Sequence, residues 1–243
     1  MKEITKLFKE TNKSYFTHLD KVLLFSIPLL ISILVLEIVT VPTFPAVGGV
    51  FLRIGSLPNL TPFQAGVMIL GVLISIYFIA LAVVSITLLI KSQKTRMNIR
   101  QEILKSTRTY VLNLFILYVI MMLIWSAVQL LTYNISHREI ITPVLILLIT
   151  LPFFYAPMAL VIDNLPPERA VYNSVKHVYR KPVLFLIWLI VGSVLLTIST
   201  WIGYSLPGDW GSYVNLVINS LLIVPYLIIL QIHMYLSKYS ILG

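Results

Sequence analysis

Glu37 is the acidic residue of this chain with the most unusual surroundings. It is the one carboxylate clearly inside a long apolar run, about sixteen residues into residues 22–41. A charge at the middle of a bilayer costs roughly 2.5–3.5 kcal/mol, so such residues often mark ion or proton paths. Near the end of its run, Glu37 can instead reach head groups or water, and this simpler interpretation needs no function. A functional role would pair it with Arg53, Arg138 or a polar helix face.

A second group of chemically able side chains follows the fourth apolar run. The group combines a carboxylate, an imidazole and three cations: Asp163, Arg169, His177, Arg180 and Lys181. Such a set could form a pocket for a phospholipid head group or a phosphate at the inner face of the membrane, since Arg and Lys commonly bind phosphate. The alternative needs no ligand. Asp163 or Asn164 would cap the helix that follows, and the cations would orient the chain in a membrane.

The other polar residues of the apolar runs predict neither a metal site nor a catalytic centre. His233 has no second histidine or carboxylate at ligand spacing, and the chain has no cysteine. The sequence contains no zinc-hydrolase, serine-hydrolase, P-loop or dinucleotide-binding motif. Asn215 and Asn219 lie about one helical turn apart, which favours hydrogen bonds between helices, with a permeation path as the alternative. We therefore expect no catalytic residue, no cofactor and no bound metal.

Six apolar runs determine the fold class. The chain is 58% hydrophobic and only 11% charged, with a mean hydropathy of +0.94. About 20 helical residues cross a hydrocarbon core of about 30 Å. The runs of this length are residues 22–41, 65–90, 110–132, 140–162, 182–204 and 213–236. The sequence predicts an all-α polytopic transmembrane helical bundle with six spans, forming a single integral membrane domain over residues 1–243.

The basic residues are distributed unevenly among the connections. Sixteen of the eighteen Lys and Arg residues fall in residues 1–21, 91–108, 163–181 and 237–243. Arg53 and Arg138 lie in the alternate connections. This positive-inside pattern predicts a multi-pass protein of the cytoplasmic membrane with both termini in the cytoplasm. The net charge of +9 then serves orientation and contact with anionic lipid head groups, and nucleic acid is not an expected partner.

Three polar segments that precede the odd-numbered spans are amphipathic. Residues 1–21, 93–109 and 165–181 each place apolar side chains on one helical face, as helices at a membrane surface do. We call these segments the arms. The same spacing of an apolar residue, a hydroxyl residue three positions later and a further residue four positions after that recurs in all three arms. The three sets are Phe8, Thr11 and Tyr15; Ile103, Ser106 and Tyr110; and Val171, Ser174 and Val178. The pattern suggests three repeats, each an arm followed by a helical hairpin.

Two prolines lie deep in the fourth apolar run. Pro152 and Pro157 lack a backbone N–H, and a proline ring clashes with the preceding helical turn. The pair predicts a kink or a local opening of this helix. Together with Glu37, these prolines are the candidate functional irregularities of the spans.

The region from the fourth to the fifth run has a pattern found in a known family. Pro157 and Asp163, then Ala170 and Ser174, then Pro182 follow in order before an apolar run. This pattern resembles the six-helix membrane domain attached to some glycerophosphodiester phosphodiesterases and related stand-alone archaeal and bacterial membrane proteins. The soluble phosphodiesterase barrel has no counterpart in this chain. The resemblance therefore implies an architecture and no active site.

The sequence favours a non-enzymatic role in a membrane. We expect a structural or accessory subunit, or a lipid-organising component, of a membrane complex. Its expected partners are anionic lipid and other membrane subunits or further copies of itself. The alternative is a small transporter or channel with a path between the helical repeats, in which Glu37, Pro152 and Pro157 would take part.

Overall fold

The computed structural model describes residues 2–39, 61–95, 99–207 and 210–237, without the side chains of residues 2, 3, 37, 39, 94, 95 and 99–107. Every regular element in these ranges is a helix. Six helical stretches in them are long and apolar enough to cross a membrane. The prediction of an all-α bundle with six spans is confirmed.

Ten α-helices make up the described chain. They are α1 Lys2–Thr17, α2 Leu19–Val39, α3 Pro62–Thr95, α4 Ile99–Leu131, α5 Arg138–Thr150, α6 Ala156–Ile162, α7 Pro167–Arg180, α8 Pro182–Tyr204, α9 Trp210–Ile218 and α10 Val224–Leu236. A 3₁₀ turn at Leu151–Phe153 separates α5 from α6, and a π-helical segment at Asn219–Ile223 separates α9 from α10. The first, second, third and fifth spans lie in α2, α3, α4 and α8. The fourth span is α5 with α6, and the sixth is α9 with α10.

The arms take two different forms. The first and third are separate helices, α1 and α7. In the second, residues 99–109 are the beginning of the long helix α4, which continues into the third span, while residues 93–95 belong to the end of α3. The buried face of α1 consists of Leu7, Thr11 and Tyr15, and α1 contacts α10. The aligned hydroxyls of the first and third arms, Thr11 and Ser174, are both fully buried. The first arm therefore covers the last span with its inner face.

The fourth and sixth spans form the centre of the bundle. In an apolar stretch of 18 residues taken from each of these two spans, half of the residues are buried (50%), against 17% to 22% in the corresponding stretches of the first, third and fifth spans. The largest fully buried side chains of the two central spans include Tyr155, Met158, Leu230 and Tyr235. The peripheral spans present apolar rows to their surroundings. On α8 the exposed row is Val183, Leu186, Ile190, Val194 and Ile198, a surface suited to acyl chains.

Two glycines set the approach of α8 to α9. A Cβ on Gly211 would overlap the carbonyl oxygen of Gly203, and a Cβ on Gly203 would lie 3.0 Å from the carbonyl oxygen of Gly211. Only glycine allows backbones this close. The approach also brings Ser199 of α8 within hydrogen-bond distance of Asn215 of α9.

Candidate functional site: two interrupted spans and their arms

The fourth span is interrupted where its two prolines lie. The α-helix stops at Thr150, continues as the 3₁₀ turn that contains Pro152, and starts again at Ala156, one residue before Pro157. The predicted opening of this helix is confirmed. Pro157 is buried and Pro152 is half-buried, so the interruption lies inside the protein.

Side chains from two other elements satisfy the backbone at this interruption. The backbone N–H of Tyr155 donates to Ser174 Oγ of α7 at 2.8 Å. Gln231 of α10 donates from Nε2 to the carbonyl oxygen of Phe154. In a bilayer, backbone groups freed from a helix must find such partners or cost several kcal/mol each. The arm α7 and the sixth span are therefore both hydrogen-bonded to the interruption of the fourth span.

Three aromatic side chains and one carboxylate lie beside the interruption of the fourth span, which we also call the break. We call these residues, Tyr155, His177, Tyr235 and Asp163, the Tyr155 cluster. The Tyr155 ring meets the His177 ring edge to face at 4.6 Å between centroids. The Tyr235 ring lies 5.8 Å from Tyr155 and 5.5 Å from His177. Tyr235 donates its hydroxyl to Asp163 Oδ2 at 2.6 Å. Among the described residues, the buried Tyr155 hydroxyl has no hydrogen-bond partner.

The fourth span ends in contact with the neighbouring helices. Lys91 Nζ of α3 donates to the carbonyl oxygen of Val161 at 3.0 Å, where a cation also suits the negative end of the α6 dipole. Tyr110 of α4 donates to Asn164 Oδ1 at 3.0 Å. Asn164 has φ 55°, a left-handed conformation that asparagine tolerates better than most residues. These contacts set the direction in which the chain enters α7.

The structure divides the group predicted to bind a head group. Asp163 and His177 both contact Tyr235 inside the protein, whereas Arg169 and Arg180 are exposed and Lys181 is half-buried. The prediction that Asp163 or Asn164 caps the following helix is wrong. The residue before α7 is Pro166, with no side-chain cap, and the Asp163 N–H bonds the end of α6 at Ala159.

The interruption of the sixth span was not predicted. A π-helical segment, Asn219–Ile223, precedes Pro225, which has no N–H to give to the preceding turn. The carbonyl oxygen of Leu222 in this segment accepts a hydrogen bond from Tyr15 of α1 at 3.2 Å. Pro225 was the available signal, because an inserted π turn is one way in which a membrane helix accommodates a proline.

The first arm holds the sixth span at further points. Tyr226 donates to Asn12 Oδ1 at 2.9 Å, and His233 Nε2 lies 3.1 Å from Ser14 Oγ. Burial first, and then the neighbouring Tyr226 phenol, raise the pKa of Tyr15. Its hydroxyl therefore stays protonated and able to donate.

The amide of Asn215 joins the sixth span to the fifth. Asn215 Oδ1 accepts from Ser199 Oγ at 2.5 Å and from Asn219 Nδ2 at 3.0 Å. The predicted hydrogen bond between helices is confirmed for Asn215. Asn219 is only 1% exposed, and its own Oδ1 has no partner among the described residues.

The remaining sequence candidates are placed only in part. Glu37 lies in α2, but its side chain and all of Arg53 are outside the described residues. Arg138 is used locally, because its guanidinium lies 5.2 Å from the Tyr133 ring centre and donates to the Tyr133 carbonyl oxygen. Within the described ranges, no three His, Asp or Glu side chains group as metal ligands would.

Comparison with protein-family models, curated proteins and solved structures finds no match to the chain. The resemblance to the membrane domain of glycerophosphodiester phosphodiesterases stays a prediction. The candidate site therefore consists of two interrupted central spans, each hydrogen-bonded to an amphipathic arm: the fourth span to α7 and the sixth span to α1.

Proposed function

We propose that this chain is a non-enzymatic multi-pass membrane protein that acts as a structural or accessory component of a membrane assembly and organises lipid at its surface. The arms and both termini lie on the cytoplasmic side, as the distribution of Lys and Arg favours. The protein works with other membrane subunits or with further copies of itself.

The use of polar side chains around the fourth span carries this proposal. Ser174, Gln231 and Lys91 each hydrogen-bond a backbone atom of that span. A reaction centre would instead direct such groups at a position that a substrate can occupy. Side chains engaged with backbone hold helices in place, which supports a structural role.

Native mass spectrometry of the mildly solubilised full chain tests the proposal. We expect the protein to retain a defined subunit, a second copy of itself, or lipid in fixed stoichiometry. The same preparation moved into a harsher detergent is the control, since it should strip a specific complex. A lone monomer that carries no bound species in the mild detergent would contradict the proposal.

A small transporter or channel is the second candidate, and the sixth span favours it. Discontinuous membrane helices commonly line ion and substrate sites, and π turns are frequent at functional sites. The Asn219 amide oxygen, which has no hydrogen-bond partner in the part of the chain that the structure describes, lies in this segment. Solute flux into proteoliposomes that falls in Asn219→Leu and in Glu37→Gln would favour transport. Ser220→Ala is the matched control, because the Ser220 hydroxyl bonds its own helix. Flux equal to that of empty liposomes would exclude this candidate.

A further inference from the structure

We propose that the exposed face of α7 is a binding surface for anionic phospholipid head groups. This inference rests on the proposed function and names the partner that one arm contacts. The surface, which we call the α7 face, consists of Arg169, Tyr172, Lys176, Tyr179 and Arg180, all exposed.

The α7 face is built as two parallel rows. Arg169, Lys176 and Arg180 recur at about two and three helical turns, so their cations lie in one row. Tyr172 and Tyr179 are about two turns apart and form a second row beside the first. The tyrosines are 68% and 83% exposed. Tyrosine is enriched at the level of lipid head groups, because its ring is apolar and its hydroxyl is polar.

The position of α7 places this face at the membrane surface. A single residue, Lys181, separates the end of α7 from Pro182, where the fifth span begins. On its opposite side α7 buries Ala170, Ser174 and Val178, and the Ser174 hydroxyl is bonded to the fourth span. The helix is therefore held beside two spans with its cations and tyrosines turned away from the bundle.

The charge of the α7 face is complementary to phosphate. The half-buried Lys181 adds a fourth cation next to the three of this face, while the acidic side chains nearby are Glu168 and Asp163. Asp163 accepts the hydroxyl of Tyr235. Cations next to a spanning helix attract anionic lipid, and Arg can form two hydrogen bonds to one phosphate group.

The first arm lacks this arrangement. Its exposed cations include Lys9 and Lys13, but its tyrosine, Tyr15, is buried against the sixth span. The acidic residue Glu10 lies between those lysines. The first arm therefore supplies a control with the same type of charge and without the tyrosine row.

Native mass spectrometry with added lipid tests the assignment. The full chain in mild detergent is titrated with phosphatidylglycerol, with phosphatidylcholine, or with soluble glycerol phosphate. The wild-type chain should prefer phosphatidylglycerol. In the triple variant Arg169→Gln, Lys176→Gln, Arg180→Gln, we expect that affinity to fall on the order of 100-fold. Each cation near a membrane surface contributes about fivefold.

Two control variants make the result specific. The first control is the triple variant Lys9→Gln, Lys13→Gln, Lys21→Gln, which removes three exposed cations elsewhere. The fold-loss of affinity in this variant should be at least ten times smaller than that in the α7 triple variant. Arg169→Lys, Arg180→Lys keeps the charge and should retain the preference for anionic lipid. Circular dichroism checks that every variant keeps its helix content.

Three outcomes would overturn the assignment. They are an unchanged preference in the α7 triple variant, equal losses in both triple variants, and binding of glycerol phosphate as tight as that of phosphatidylglycerol. Binding by an acidic soluble protein that outcompetes phosphatidylglycerol would overturn it as well. A wild-type chain that retains neither lipid nor any partner contradicts the proposed function itself, so the two failures can be told apart.

Discussion

The two central spans are both interrupted near prolines, but their interruptions differ in kind. In the fourth span, the chain leaves the α-helix in a 3₁₀ turn that contains Pro152, and the α-helix starts again at Ala156, one residue before Pro157. In the sixth span, Pro225 follows a single π-helical segment, and the chain stays helical throughout. Two prolines five residues apart prevent the helix from continuing between them, whereas one proline is absorbed by a wider turn.

The partners of the two interruptions differ accordingly. The fourth span needs an acceptor for the Tyr155 N–H and a donor for the Phe154 carbonyl, and Ser174 and Gln231 supply them. In the sixth span the Leu222 carbonyl accepts one hydroxyl, that of Tyr15. An N–H has a single bond to give, while a carbonyl oxygen has two lone pairs. The fourth span should therefore depend more strongly on its arm than the sixth span does.

Ser174→Ala should have the largest effect, because it leaves the buried Tyr155 N–H without an acceptor. We expect the free energy of unfolding to fall by about 2 kcal/mol, measured by titration of the micellar protein with a denaturing detergent. Ser26→Ala is the matched control, since Ser26 is equally buried and its hydroxyl bonds the Val22 carbonyl of its own helix. Equal losses in the two variants would show that α7 does not stabilise the break through this hydroxyl.

Gln231→Met should have a smaller effect. The Phe154 carbonyl loses its donor, but methionine has a volume similar to that of glutamine and fills the same space. The expected loss is about 1 kcal/mol in the same titration. The double variant with Ser174→Ala tests whether both contacts support one structure. Since both bonds hold the same break, the loss in the double variant should be less than the sum of the single losses. Additive losses would mean that the two contacts act independently.

Tyr15→Phe should cost less again, about 0.5–1 kcal/mol, because it removes one bond to a carbonyl within a continuous helix. Tyr226→Phe serves as its control, since it removes an exposed bond from the sixth span to Asn12 of the same arm. The free energies of unfolding of both variants are compared with that of Ser174→Ala. A loss in Tyr15→Phe as large as in Ser174→Ala would remove the proposed difference between the two spans.

The same comparison shows what the sequence could predict. The six spans followed from apolar runs that a bilayer requires, and the opening of the fourth span followed from the missing N–H groups of Pro152 and Pro157. Pro225 was as visible in the sequence, yet a single proline permits a kink or a π turn equally well. Periodicity placed Thr11 and Tyr15 of α1 and Ser174 and Val178 of α7 on the apolar faces, and these four residues are buried. Phe8 and Val171, predicted on the same faces, are only half-buried.

The contacts of the candidate site could not be predicted in this way. Ser174 and Tyr155 are separated by nineteen residues, and their contact depends on how α7 turns back against α6. Periodicity identifies a buried face but not the helix that covers it. The capping role expected of Asp163 failed for a related reason. Its carboxylate accepts a hydrogen bond from Tyr235, which is seventy-two residues away in the chain, and the residue before α7 is Pro166.

Tyr155→Phe should have the smallest effect and distinguishes a structural cluster from a ligand site. The Tyr155 hydroxyl is fully buried and has no partner among the described residues, so its removal breaks no bond seen there. We expect the free energy of unfolding to stay unchanged or to rise by up to about 1 kcal/mol, because an unpaired polar group is no longer buried. Tyr235→Phe, which loses the bond to Asp163, should instead lower it by about 1.5 kcal/mol. A clear loss in Tyr155→Phe would mean that this hydroxyl binds a molecule beside the break, and the interrupted fourth span would then become a ligand site as well as a structural joint.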